Sequence, residues 1–265
     1  MNQSMHKQRG LVVVSLLSVM LGACTTTGGA PSAAQLAGLD AIVHASVDSP
    51  LRSDKDRQKD AARKPYEVLR FAGVKPGQKV IDIFSATGWY AELLSRVVGP
   101  NGHVYAQNPD SILKELGDKP ISERLANNRL PNVERLDTSP NNMRLKSASL
   151  DGALFDLVFH DLYWITPNVD GVLKDLHAAL KHGAWVVVVD HQAPPGTRDS
   201  FAKDRRGQHR IDEAFVKERF AAAGFVLDGE SEILREPSDD RTQPFFAPSM
   251  QGRNTDKFVL RFRRP

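Results

Sequence analysis

The chain has 265 residues, a single cysteine and a formal net charge of +3. One cysteine excludes any internal disulfide, so the fold must hold by packing alone. The small charge excess gives no electrostatic case for nucleic acid or for an anionic membrane face as a partner.

The first residues carry His6, Lys7 and Arg9 with no acid, then run apolar from Leu11 to Leu21 before the small residues Gly22 and Ala23. A charged start, a short apolar centre and a small-residue exit read as a secretory signal peptide over residues 1–23. The apolar run is about half of the ~20 residues that cross a bilayer, which argues against a permanent transmembrane helix. Loss of residues 1–23 removes Lys7 and Arg9 and lowers the formal charge from +3 to +1. The string Leu21-Gly22-Ala23-Cys24 resembles the bacterial lipobox. That resemblance implies a diacylglyceryl group on Cys24 and a membrane anchor there. Thr25 at the next position, rather than Asp, points to the outer membrane, with the body on the periplasmic side. Thr25 to Gly38 has the Gly, Pro, Ser, Thr and Ala mix of a linker, so residues 24–38 are expected to be a lipidated tether. Residues 39–265 then suit one domain.

Within that domain, Ser53 to Phe71 reads as an outer helix that Pro65 interrupts or starts. Val80-Ile81-Asp82-Ile83-Phe84 is a short apolar run bounded by turn formers, a buried strand. Trp89 to Val98 has helical spacing and stops at Gly99-Pro100. The same alternation recurs with strand candidates at 104–106, 133–136, 154–160 and 184–190, and with the clearest helices at 169–180 and 212–223. Strands apolar throughout, such as Trp185 to Val189, suit a parallel sheet covered on both faces. At the end Phe258, Leu260 and Phe262 alternate with Val259, Arg261 and Arg263, which predicts an antiparallel strand with one wetter face.

This order of elements resembles the class I S-adenosylmethionine-dependent methyltransferases, above all a group of exported bacterial predicted methyltransferases. The resemblance rests on Ile81 to Leu94, Val97 to Pro109, Phe155 to Trp164, Leu180 to Pro195, His209 to Glu213 and Thr255 to Pro265. It implies an α/β, Rossmann-like, doubly wound and mostly parallel seven-stranded sheet with an antiparallel last strand. It also implies S-adenosylmethionine as cofactor, beyond the carboxyl ends of the strands, and a small-molecule methyl acceptor.

The family pattern sets glycines at the second, fourth and sixth positions after the acid that ends strand one. Here Asp82 is followed at those positions by Phe84, Ala86 and Gly88. Asp82, Ser85, Ala86, Thr87 and Gly88 are the expected cofactor loop; Asp82 either contacts the cofactor or caps the loop. The family's ribose-binding acid at the end of strand two is missing, and Gln107 or Asn108 could supply only a neutral amide oxygen. Weaker cofactor binding, or its loss, follows from that exchange. Asp137 matches the position that meets the adenine amino group, or is a cap.

Phe159-His160-Asp161 and Asp190-His191 close two predicted strands, and His209 lies on the next loop. Asp161, His191 and His209 are the catalytic candidates, as general acids or bases; a structural hydrogen-bonding role stays open. No metal is expected, because adjacent strand residues point to opposite faces and only one of each pair would face a ligand. Two functions compete: a methyltransferase, and an exported ligand-binding lipoprotein that keeps the fold without catalysis.

Overall fold

The computed structural model describes Met1 and residues 32–265. The expected signal peptide, the lipidation of Cys24 and the linker up to residue 31 lie outside the described residues. Residues 33–38, expected as linker, are helical instead. Ser32 caps α1 (Ala33–Val47) by accepting from the Gln35 amide, and the Gln35 side chain accepts from the Ser32 amide in return.

The expected outer helix is three short ones: α2 (Asp54–Arg57), α3 (Asp60–Arg63) and α4 (Pro65–Ala72). The break falls where Lys64 takes a left-handed conformation, φ 42°, and Pro65 opens α4 at the position where its missing N–H costs nothing. Then follow β1 (Lys79–Ile83), α5 (Trp89–Val98), β2 (His103–Asn108), α6 (Asp110–Leu116), α7 (Lys119–Leu125), β3 (Val133–Asp137) and β4 (Leu150–Asp156). The chain continues through α8 (Leu162–Ile165), α9 (Val169–Ala179), β5 (Leu180–His191), α10 (Glu213–Ala222), β6 (Val226–Ser231) and β7 (Lys257–Arg263).

The seven strands form one sheet in the order β3-β2-β1-β4-β5-β7-β6. Pairs from β3 through β5 are parallel, and β7 runs antiparallel to both β5 and β6. This is the expected doubly wound sheet. The alternation along β5 explains its uniform apolarity. Val186 and Val188 join one core with Phe155, Phe220 and Phe262, whereas Val187 and Val189 join the other with Leu93, Leu94 and Val104. Gly152 is required where β4 meets β5, because a Cβ there would lie 2.0 Å from the Trp185 ring.

Two boundaries depart from expectation. β4 ends at Asp156, so Phe159, His160 and Asp161 lie in the turn that leads into α8 rather than on a strand. β6 was not foreseen: its residues are mostly exposed, and it is held to β7 by backbone pairing. No helix among the described residues is long and apolar enough to cross a membrane.

Candidate functional site

The carboxyl ends of β1, β4 and β5 converge on a cavity of about 350 Å³ lined by Asp82, the 84–87 loop, Asp156, His191, Lys59, Arg63 and Phe245, among others. Its floor is the loop from β1 to α5. Phe84, Ala86 and Gly88 have φ of 52°, 53° and 79°. All three family glycine positions therefore keep the left-handed backbone that glycine normally supplies, two of them without glycine. A Cβ costs about 1–2 kcal/mol in that conformation, so the loop is held in place by its surroundings.

Those surroundings are the two amides at the end of β2. The Phe84 amide donates to Gln107 Oε1 (3.2 Å), and Gln107 Nε2 donates to the Thr138 carbonyl (2.7 Å). The Ala86 amide donates to Asn108 Oδ1 at 2.7 Å. Both side chains are fully buried. This corrects the expectation for Gln107: its amide pins the loop from behind and is not presented to the cavity. Asp137 is also not at the cavity; it is exposed and accepts from Arg135 Nη2 at 2.6 Å. Gly88 stands at the start of α5 without lining the cavity, and a Cβ there would meet Ile121 at 2.6 Å. Asp82, Ser85, Ala86 and Thr87 line the cavity.

Two buried carboxylates face the cavity. Burial pushes Asp82 up to about 7, although it accepts from Ser85 Oγ at 2.6 Å. Burial also raises Asp156, to about 6, against the pull of Arg63, whose Nη1 donates to it at 2.9 Å. Arg63 in turn stacks over Trp89 at 5.0 Å. Asp156, Arg63 and Lys59 were not singled out in the sequence. Arg63 ends α3 and Lys59 lies in the turn before it, in the segment ahead of β1 where only a charged surface helix was legible.

Beside this cavity lies a histidine cluster. Asp190, on β5, accepts from the His160 backbone amide (2.8 Å) and from His160 Nδ1–H (2.7 Å). His160 Nε2 then lies 3.1 Å from Asp161 Oδ1 and 3.2 Å from His209 Nδ1. The triangle closes with His209 Nδ1 to Asp161 Oδ1 at 3.2 Å. Trp164 Nε1 donates to the same Asp161 oxygen at 2.8 Å, and His209 Nε2–H donates to the Arg205 carbonyl at 2.7 Å. Burial works against a charged His160, but Asp190 and Asp161 on either side raise it to about 10. Burial would raise Asp161, yet His160 holds it far below the usual carboxylate range.

The structure thus brings Asp161 and His209 together and adds His160 as the centre of the group. His191 is adjacent but separate. Its ring lies 5.9 Å from that of His160, its Nδ1 is 2.6 Å from Thr255 Oγ1, and it stacks on Phe245. Burial and the neighbouring His160 drive its basicity well below normal, so it is neutral. His160 and Asp161 do not point to opposite faces as adjacent strand residues would, because they sit in a turn and not in a strand. Phe245 is a further residue that the structure adds, and its mark in the sequence is the pair Phe245-Phe246 in a polar segment.

No family model matches this chain. It is 23% identical over 128 residues to the demethylmenaquinone methyltransferase of Geobacillus kaustophilus, which covers 48% of this chain and 51% of that protein. The chain spans about half the length of the curated relatives it matches. Among solved structures, a SAM-dependent methyltransferase from Aquifex aeolicus superposes with a TM-score of 0.57 at 19% identity, over 84% of this chain and 97% of that one. The [4+2]-cyclase SpnF superposes with a TM-score of 0.55 at 14% identity, over 89% of this chain and 97% of that one. With the sheet order and the cavity over β1, these likenesses establish that the chain has the fold of the class I S-adenosylmethionine-dependent methyltransferases.

Proposed function

We propose that the protein is an S-adenosylmethionine-dependent methyltransferase acting on a small-molecule nucleophile, exported and anchored by lipid at Cys24. The observation that carries the enzymatic part is the loop after β1. Its three glycine-type conformations at Phe84, Ala86 and Gly88 persist although two side chains oppose them. A chain that kept only the scaffold would have no need to hold that bend.

The residues around the cavity fit a zwitterionic cofactor with a cationic centre. Arg63 and Lys59 can meet a carboxylate, Asp82 and Asp156 an ammonium or sulfonium charge, and the rings of Phe84, Trp89 and Tyr90 give apolar walls. The bound cofactor supplies an electrophilic methyl group. What the chain adds is positioning and the exclusion of water by those aromatic walls. His191 is neutral and lines the cavity, so it can hydrogen-bond an acceptor group there, while its depressed basicity makes it a weak proton acceptor. The lipid anchor is supported by the Lys7 and Arg9 start, the apolar 11–21 run and the Leu21-Gly22-Ala23-Cys24 string.

A second reading, a ligand-binding lipoprotein without catalysis, is favoured by one feature. Gln107 and Asn108 are turned away from the cavity, and no acid replaces them at the end of β2. Calorimetric titration of the purified chain with S-adenosylmethionine and S-adenosylhomocysteine separates the two. Enzyme function predicts saturable binding that Asp156→Asn weakens. Loss of a charge-assisted bond of about 1.5–3 kcal/mol places the affinity roughly ten- to a hundredfold below that of enzymes that keep the acid. No heat with either compound sinks the methyltransferase reading.

A further inference from the structure

We propose that His160 Nε2, His209 Nδ1 and Asp161 Oδ1 form a binding site for one divalent first-row transition-metal ion. The three atoms make an almost equilateral triangle with edges of 3.1, 3.2 and 3.2 Å. Its circumradius is about 1.8 Å, so an ion about 2.1 Å from each corner, the usual bond length to His and carboxylate ligands, sits about 1 Å out of the plane. No ligand atom has to move to reach it.

The second contacts of each ligand favour the same reading. Asp190 takes the Nδ1 proton of His160, and the Arg205 carbonyl, which can only accept, takes the Nε2 proton of His209. The nitrogens turned to each other are therefore the ones that can offer lone pairs, His160 Nε2 once the ion takes the place of the proton it shares with Asp161. A carboxylate or a carbonyl on the far nitrogen is the usual support of a metal-bound histidine. Trp164 fixes the Asp161 oxygen in the same way. His209 holds its place on a left-handed backbone, φ 52°, a conformation that serves no turn of regular structure here. The side chains of Asp161 and His209 remain 14% and 13% exposed, which leaves a path for an ion, and the rings of Phe245 and Phe246 lie 6.1 and 5.4 Å from His209.

Two imidazoles and one carboxylate suit Zn²⁺, Fe²⁺ or Co²⁺ rather than Mg²⁺ or Ca²⁺, which favour oxygen ligands. Three protein ligands leave coordination positions open for water or a ligand oxygen, the pattern of reactive rather than structural metal sites. The site does not depend on the methyltransferase reading, and its test reads the metal alone.

The test uses the full chain, made without a polyhistidine tag and stripped with a chelator. It is titrated with Co²⁺ by visible absorption and with Zn²⁺ by calorimetry, with Mg²⁺ as the comparison. One ion per chain is expected, with cobalt bands characteristic of nitrogen and oxygen ligation and no response to Mg²⁺. His209→Ala and the volume-matched His209→Gln should each weaken Co²⁺ binding by at least a hundredfold. Asp190→Asn should weaken it by about ten- to a hundredfold through His160. The proposal falls if the unaltered chain binds no Co²⁺ at about 100 µM, or if both His209 variants, folded by circular dichroism, bind it as the unaltered chain does.

Discussion

Replacing Gln107 by Glu separates a ligand-binding amide from a structural one. In the structure this side chain accepts from the Phe84 amide and donates to the Thr138 carbonyl, fully buried. A protonated glutamic acid can do both, its carbonyl oxygen facing Phe84 and its hydroxyl facing Thr138. An ionised one cannot, because it would set a lone pair against the Thr138 carbonyl with no water to intervene. The variant must stay protonated to keep the fold, so its folded pKa rises above the unfolded value of about 4.3. For a raised acid the stability is intact below the unfolded pKa and is lost as pH rises, by about 1.4 kcal/mol per unit until the folded pKa is reached. Relative to the unaltered chain, the deficit should be about 1 kcal/mol at pH 5 and about 3.7 kcal/mol at pH 7. Urea denaturation of both proteins at pH 5, 6 and 7 measures it. A deficit that does not change with pH, or an unaltered midpoint with tighter S-adenosylmethionine binding, would show that Gln107 faces the ligand and that the reasoning is wrong.

Neighbouring loop positions should respond with opposite signs. Ala86→Gly relieves left-handed strain of about 1–2 kcal/mol and gives back roughly 0.4–1 in unfolded-chain entropy, so thermal denaturation should show a small net gain. Phe84→Gly relieves the same strain but removes a buried ring worth about 3–5 kcal/mol, and its melting temperature should fall. Arg210→Ala strands Asp239, its bidentate partner with both side chains buried. A loss of about 3–5 kcal/mol is expected in urea; a loss under 1 kcal/mol would contradict the pairing. Cys24→Ser should release the protein from the membrane fraction and leave its precursor uncut, and normal processing with membrane retention would remove the lipid anchor.

Most of the sheet was legible because each buried strand is a short apolar run. β1, β5 and β7 stand out as Val80 to Phe84, Trp185 to Val189 and the alternation from Phe258 to Phe262. β4 was misplaced because its apolar run continues past the strand. Leu157 turns the chain with φ 60°, yet Phe159 remains buried and packs on Phe155 and Phe220 from the turn. A buried aromatic reads the same in a strand and in a turn. That shift matters to the site, since it places His160 and Asp161 on the same side. β6 had no signal because an exposed edge strand has little apolar content to show. The bend at Phe84 and Ala86 was hidden as well, since non-glycine residues in left-handed conformations leave no mark in sequence. Nor could sequence tell an amide aimed at a ligand from one aimed at the backbone behind it, which is the case for Gln107.

Asp190 connects the two halves of the site. Fully buried at the end of β5, it accepts from the His160 amide, the His160 ring and the His191 amide. One carboxylate thus fixes the turn that carries the histidine cluster and the backbone that presents His191 to the cavity. The cavity over β1 and the triangle of His160, Asp161 and His209 are therefore built around one anchor, with Phe245 packed against both His191 and His209. A sheet that needed only stability at this point would bury an apolar residue after Val189, as it does at the four preceding positions of β5. A carboxylate with three donors there costs desolvation that packing alone would avoid, which places the reason for Asp190 in the His160 ring it orients and the backbone it fixes at His160 and His191.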